Sequence, residues 1–471
     1  MLEPRAAVAP RAAWDAPLFI RESDGARASR LASLVARSDA VDASRLACRV
    51  LSLTPHAWLE KTAYRGVARP VPAGLAPSVL PPLETNEAEL VSSLRAELEA
   101  AVARAMSGAR RVAIMVGGGV DSSVLTALAV AEARRRGDVT VIPIALDYAS
   151  DGDDRPHLRA LSAALGVEPV RVKPEDAGPI VTSSFVADAS PATWPSVPLE
   201  LAMAAAALRE GAEVVMTGAG GDDLFDGSPY VLSDLARHHP LRAVRDAARL
   251  VLPWRVSAPR RVADFVVRPF VSPRIPAPIR AAHRRRRLDR AHPWAGPEAR
   301  RALAAIAAEA PRPTRTPEER YARFATSAHL VEVATLRTQF ESASGLRRVD
   351  PFLDEALVAF TCRIAPAAFL MGHRLRGLFR EAARGLVPDS VRLRTDKAAF
   401  EPAQARMVEA AGGFGALEPL ARAARAADLG LVEPRVFRAE WDAFVRDPID
   451  HDWLAVWPTL AVEAFLQGVS A

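Results

Sequence analysis

The chain has 471 residues, half of them hydrophobic, with a formal net charge of +5 and a sequence pI of about 9.6; by length alone it holds roughly two to four domains with sizeable cores. The basic balance suits anionic ligands such as nucleotides without requiring nucleic acid. Only Cys48 and Cys362 are cysteines, which excludes a disulfide framework or a cysteine-rich metal site and fits a reducing cytoplasm; the first five residues carry no apolar signal core, and no charge-free apolar run is long enough to span a membrane.

In chain order, residues 1–85 read as irregular, with a proline-dense connector over 69–82. Residues 85–106 predict a helix, because Leu90, Leu94, Leu98, Val102 and Met106 recur every four positions and Thr85 or Asn86 can cap it. A short apolar strand follows at 112–116, then a glycine cluster that opens a helix at 117–136. Next come a strand at 140–146, a helix at 157–165, a strand near 169–172, a helix at 199–210 and a strand at 213–216. This alternation predicts an α/β fold, a parallel sheet with helices on both faces. From Ser233 onward the strand signals fade and the segments are Ala/Leu/Arg-rich helices. The basic stretch 237–290, with clusters at Arg260-Arg261 and at Arg284 to Arg287, reads either as a solvated helix face or as a docking surface for an acidic peptide or partner protein. Sparse aromatic interleaving makes nucleic acid the weaker reading.

The strand at 112–116 runs into Gly117-Gly118-Gly119-Val120-Asp121-Ser122-Ser123. Glycines let backbone amides converge on an anion, and a helix N-terminus adds partial positive charge. The hydroxyls of Ser122 and Ser123 can donate to phosphate oxygens. Asp121 repels phosphate directly but makes sense as a ligand of Mg²⁺ bridging to pyrophosphate. No Gly-Lys-Ser/Thr follows, so the loop is not a Walker A loop; by itself it is also compatible with a ligand-free tight turn. A second strand at 213–216 leads to Thr217-Gly218-Ala219-Gly220-Gly221-Asp222-Asp223, again glycines before paired carboxylates. Asp222 is the expected second Mg²⁺ ligand, while Asp223 or Asp226 can cap the following turn.

The first segment resembles the SGGxDS pyrophosphate loop of N-type ATP pyrophosphatases, and the second resembles the TGxGGDELFGGY-like stretch of the asparagine synthetase family. Two further matches are Asp350-Pro351-Phe352-Leu353-Asp354 and the run from Arg380 to Pro388 that continues into Arg394-Thr395-Asp396-Lys397-Ala398-Ala399-Phe400. The resemblance implies an adenine nucleotide α-hydrolase-like sheet followed by a helical C-terminal region, with a synthetase domain over 86–471 and a truncated glutaminase-like remnant and linker over 1–85. It implies ATP and Mg²⁺ as cofactors, with Gly117, Gly118, Gly119, Asp121, Ser122 and Ser123 around the phosphates. It makes Asp121 and Asp222 the metal ligands and sets Met115, Leu146 and Gly218 near the adenine. Lys397 inherits the role of stabilising charge on the phosphoryl centre during adenylation. The chain has three lysines, Lys61, Lys173 and Lys397, and arginine does not copy a compact ammonium well.

Several positions depart from the family pattern. Gly117 stands where a serine is usual, Ala219 where asparagine synthetases carry a substrate-facing glutamate, and Arg347 where many relatives have a glutamate. These changes argue against aspartate as substrate and remove the expected base toward the amine. Leu2 stands where a glutaminase cysteine would follow Met1, so no glutamine hydrolysis is expected, and Cys48 reads as a core residue. Within the family the chain is most similar to lasso-peptide cyclases and β-lactam synthetases, which let an amine of the same molecule attack the activated carboxylate. The expectation is a cytoplasmic macrolactam cyclase acting on a precursor peptide, with a leader peptidase or leader-binding protein as a possible partner. A lactam or other small-molecule amide synthetase, a nucleoside-modifying ATP pyrophosphatase and a non-catalytic nucleotide-binding scaffold remain as alternatives.

Overall fold

The computed structural model describes residues 17–70, 81–225, 229, 231–252, 256–309 and 316–469. Leu2, Asp226 and most of the proline-dense connector lie outside the described residues. The described residues of the segment read as irregular carry regular elements. Strand β1 (Phe19–Arg21) pairs antiparallel with β2 (Arg27–Ala28), helix α1 (Ala43–Leu51) follows, and β3 (Val67–Ala68) closes the small sheet on β1. Strands of two or three residues are too short to show a period of two, which is why the sequence concealed them. The Asp42 side chain caps α1 by accepting from Arg45 N at 3.0 Å.

Helix α2 (Glu87–Ala105) begins at Asn86, whose Oδ1 accepts from Glu89 N at 2.9 Å. Its four-residue leucine repeat faces inward, with Leu90, Leu94 and Leu98 all buried. The main sheet then forms from β4 (Arg111–Met115), α3 (Val120–Arg136), β5 (Thr140–Leu146), α4 (Arg155–Leu165), β6 (Val170–Val172), α5 (Val197–Arg209) and β7 (Val214–Met216). A fifth strand comes from far along the chain. β8 (Arg347–Val349) pairs parallel with β7, with Arg347 opposite Val214 and Val349 opposite Met216. Arg-Arg-Val carries no apolar run, so this strand is imposed by its neighbour and was not expected from the sequence.

The sheet order is β8-β7-β4-β5-β6, all parallel. The chain starts in the middle at β4, builds outward through β5 and β6, and then crosses to the other side for β7 and β8. The order therefore reverses beside β4, and the crevice outside the carboxyl ends of β4 and β7 is where such sheets bind ligands. Both glycine segments leave the sheet at that crevice.

The N-terminal segment does not stand apart. Leu46, Cys48 and Val50 of α1 share one buried cluster with Trp294, Phe437, Trp441, Trp457 and Phe465. Burial pushes the Cys48 thiol up to about 12, as expected of a core cysteine. Polar contacts reinforce the packing: Glu332, on helix α6 (Ala328–Ser344), accepts from Arg45 and Arg49 of α1. Arg69 donates to Val331 O at 3.1 Å and to Thr335 Oγ1 at 2.6 Å on the same helix. Among the described residues no single helix is long and apolar enough to cross a membrane.

Candidate active site at the carboxyl edge of the sheet

A cavity of about 450 Å³ opens at this edge. Met115, Gly117, Gly119, Asp121, Ser122, Leu146, Gly218 and Lys397 all contribute to its wall. Residues far apart in sequence converge there because parallel pairing sets Met115 opposite Ile144 and Ile114 opposite Met216, which brings the strand ends level.

The first loop turns back on itself. Ser122 Oγ accepts from Gly117 N at 3.1 Å, so its hydroxyl holds the turn while facing the cavity. Ser123 requires a correction as a phosphate ligand: it is fully buried, with its hydroxyl 3.4 Å from Gly117 O. One residue along a helix rotates a side chain by about 100°, and that rotation carries Ser123 from the cavity to the core. Gly118 is likewise covered rather than open to the cavity. A Cβ there would lie 2.8 Å from Asp154 Oδ1 and would also collide with Arg394 Nη1.

The second loop packs directly on the first. A Cβ on Gly221 would sit 3.1 Å from Asp121 Oδ1, and one on Gly218 would sit 3.5 Å from Asp121 Cβ. Gly220 has φ +85° and lies against Leu353, so neither the conformation nor the space admits a side chain. This close approach brings the two carboxylates together. Arg376 bridges them, donating to Asp121 and pairing with Asp222. Lys397 Nζ lies 3.4 Å from Asp222 Oδ2. Asp222 itself stands beside the cavity wall, with 62% of its side chain exposed. The neighbouring Asp223 pairs with His329 at 3.4 Å, and that contact raises the histidine's pKa.

These residues fit a divalent cation. Asp121 and Asp222 are hard oxygen donors that already converge on one positive group, and Asp121 Oδ1 is buried without a hydrogen-bond partner. Asp121, Asp222 and cation-borne waters would make up the ligand set.

Arg376 was missed by sequence reasoning. It lies one helical turn before Arg380, the start of the fourth family-like segment, and its backbone takes a left-handed φ of +58°. That conformation is uncommon for a side-chain-bearing residue and clusters at functional sites. Behind it, burial, with the charge of Arg376 adding, holds Arg380 down at about 10. Arg376 and Arg380 thus set two guanidinium groups beside Asp121.

Lys397 is positioned by a second clamp. Arg394, almost wholly buried, donates to Asp154 Oδ1 at 2.6 Å, to Asp396 Oδ1 at 2.9 Å and to Gly152 O. Ala399 N donates to Asp151 O at 3.2 Å. These bonds dock the Lys397 segment onto the loop after β5. The same Asp154 accounts for Gly117: a Cβ there would lie 2.8 Å from Asp154 Oδ2. At this position the carboxylate occupies the space that a side chain would need.

On the side of β7 and β8 the wall is formed by Thr217, Ala219, Glu200 and Arg348. The arginine facing the cavity is Arg348, not Arg347, which is exposed on the other face of β8. Successive strand residues point to opposite faces, and the register decides which one looks in. Arg348 donates to Asp350 at 3.0 Å, to Thr217 Oγ1 at 3.1 Å and to Glu200 Oε2 at 3.2 Å. Trp194 and Phe400 also line the cavity and remain 43% and 47% exposed, so its mouth is aromatic.

The basic clusters of the 237–290 stretch are partly absorbed by the fold. Arg261 donates to Ala247 O at 3.1 Å, Arg284 to Glu309 O at 2.7 Å, and Arg285 to Asp289 at 2.8 Å.

The chain has no match among curated proteins. A family model described as asparagine synthase matches residues 93–467, spanning the glycine loop, the Asp222 loop, β8 and the Lys397 segment. The chain belongs to the asparagine synthase family, whose members use ATP to form amide bonds.

Proposed function

We propose that the protein adenylates a carboxylate, releasing pyrophosphate, and closes a macrolactam between an Asp or Glu side chain and the N-terminal amine of one peptide. The observation that carries the adenylation is the meeting of the glycine loop, Asp121 and Lys397 at one cavity, with Asp222 tied to them through Arg376 and Lys397. The amide of Gly119 and the dipole of α3 bind the phosphates. Asp121 and Asp222 hold Mg²⁺, which when bound neutralises the pyrophosphate oxygens. The substrate carboxylate attacks the α-phosphorus and the bond to pyrophosphate breaks. Lys397 stabilises the charge that builds at phosphorus, and Arg376 and Arg380 keep the departing end cationic. The amine then displaces AMP.

Two features favour a peptide over a free amino acid. Ala219 puts a methyl group, not a carboxylate, at the substrate end. The exposed Trp194 and Phe400 offer apolar contact to residues flanking the reacting groups. On this reading the precursor peptide reaches the enzyme after leader removal, and a leader peptidase or leader-binding protein is the natural partner. The test incubates the enzyme, ATP and Mg²⁺ with the leaderless precursor peptide encoded beside its gene. Mass spectrometry should show loss of one water. If that loss never appears while a small β-amino acid drives pyrophosphate release, the macrocyclase reading fails and a lactam synthetase takes its place.

A further inference from the structure

Amide formation needs a neutral amine, and an amine held as ammonium must lose its proton near the acyl-adenylate. Three carboxylates line the cavity among the described residues: Asp121, Asp154 and Glu200. Asp121 is engaged by Arg376 beside the glycine loop, and Asp154 is held by the buried Arg394 at 2.6 Å against Gly117 and Gly118. Glu200 differs from both in place.

Its place follows from the sheet. Glu200 sits on α5 against Arg348 of the edge strand β8, whereas Leu146 and Tyr148 mark the end of β5. Arg348 also donates to Thr217 Oγ1 at 3.1 Å, and that oxygen accepts from Ala219 N at 3.3 Å. Glu200 therefore stands at the Ala219 side of the cavity. Its charge balance follows from Arg348. That guanidinium is shared with the buried Asp350, which holds it at 3.0 Å against 3.2 Å for Glu200. One cation facing two carboxylates leaves net negative charge, and the more open of the two is Glu200, with 29% of its side chain exposed. An ammonium is the group that would complete this set.

We infer that Glu200 receives the proton of the attacking amine, with Arg348 as its positioning residue. This inference rests on the amide-synthetase reading. The ammonium passes one proton to Glu200, and the nitrogen lone pair attacks the acyl carbon. The C–N bond forms, the C–O bond to phosphate breaks, and AMP leaves with the electron pair. The second amine proton is lost to water as the amide forms, and Glu200 returns its own proton to solvent. Burial raises the Glu200 pKa; Arg348 opposes that rise and Asp350 adds to it. The net effect brings the carboxylate closer to the range in which it accepts protons efficiently. The family-like glutamate missing at Arg347 is thus replaced from a different element, the helix α5.

The test compares the full-length wild type with Glu200→Gln on the leaderless precursor peptide. Two readouts are taken: cyclised product, and hydroxamate formed when hydroxylamine, already neutral at pH 7.5, intercepts the acyl-adenylate. Glu200→Gln should lose about a hundredfold or more in cyclised product while hydroxamate and pyrophosphate release stay near wild type. Raising the pH should restore part of the cyclisation as the peptide amine deprotonates unaided. Cyclisation by Glu200→Gln within twofold of wild type at neutral pH overturns the inference. Equal loss of product, hydroxamate and pyrophosphate overturns it too, because Glu200 would then serve folding or adenylation. If the wild type itself forms neither hydroxamate nor pyrophosphate with any carboxylate offered, the amide-synthetase reading fails and this inference falls with it.

Discussion

Replacing Glu332 by alanine should loosen the N-terminal segment from the rest of the protein. The carboxylate accepts from Arg45 and Arg49, and Arg69 lies close enough to act on it electrostatically. All three arginines are at most 6% exposed. Burial pushes the Glu332 pKa up, but the arginines outweigh it and hold the group at about 2, against an ordinary 4.5. Breaking a buried pair by removing one partner costs about 3–5 kcal/mol. The lower end applies here, because the arginines keep other acceptors: Arg45 keeps Thr54 Oγ1 at 2.9 Å, Arg49 keeps Pro191 O at 2.7 Å, and Arg69 keeps Val331 O. A loss of about 3 kcal/mol corresponds to more than a hundredfold faster amide exchange if the segment opens locally. Hydrogen exchange read by mass spectrometry should show this acceleration over residues 43–51, with the core of α3 unchanged. The pH dependence has a definite sign. The folded pKa is depressed, so this contribution is complete above the unfolded value of 4.5 and fades as pH falls toward 2. Unchanged protection of α1 in Glu332→Ala would refute the reasoning, and so would a wild-type segment indifferent to acid over that window.

Asp121→Ala and Asp222→Ala should each lower turnover at least about a hundredfold, since a bound cation supplies several kcal/mol of charge stabilisation; circular dichroism should stay native, and near-normal turnover in either variant would exclude that residue as an essential ligand. Lys397→Ala should lower kcat by about a hundredfold or more, and Lys397→Arg should recover little of it, because a planar fork does not reproduce a compact ammonium. Gly117→Ser, which restores the residue usual in the family, should weaken rather than improve ATP use. Its Cβ would lie 2.8 Å from Asp154 Oδ2, and Arg394 pins that carboxylate in place. Overpacking of this kind costs about 1–3 kcal/mol, read as a KM for ATP raised up to about a hundredfold; an unchanged KM would mean that the loop relaxes freely.

Much of the sheet was legible because β4, β5 and β7 are apolar runs that end in glycine or change of pattern, and the α2 leucines repeat with helical spacing. The glycine loops were legible for a related reason, since close backbone approach leaves a compositional trace. What was hidden depended on tertiary placement. β8 is three residues long and owes its pairing to β7. The choice between Arg347 and Arg348 hangs on register, which flips with a shift of one residue. Ser122 and Ser123 are chemically alike in sequence, and only the helix phase separates the wall of the cavity from the core. Arg376 and Glu200 carry no motif that marks them. They matter because the fold brings one to the carboxylate pair and the other to Arg348.

The fate of ATP decides whether this site adenylates a carboxylate. With Mg²⁺ and a competent carboxylate, the purified protein should split ATP into AMP and pyrophosphate in equal amounts, because the glycine loop resembles a pyrophosphate loop and no Walker lysine is present. Formation of ADP and inorganic phosphate under the same conditions would contradict the assignment of this site to adenylation.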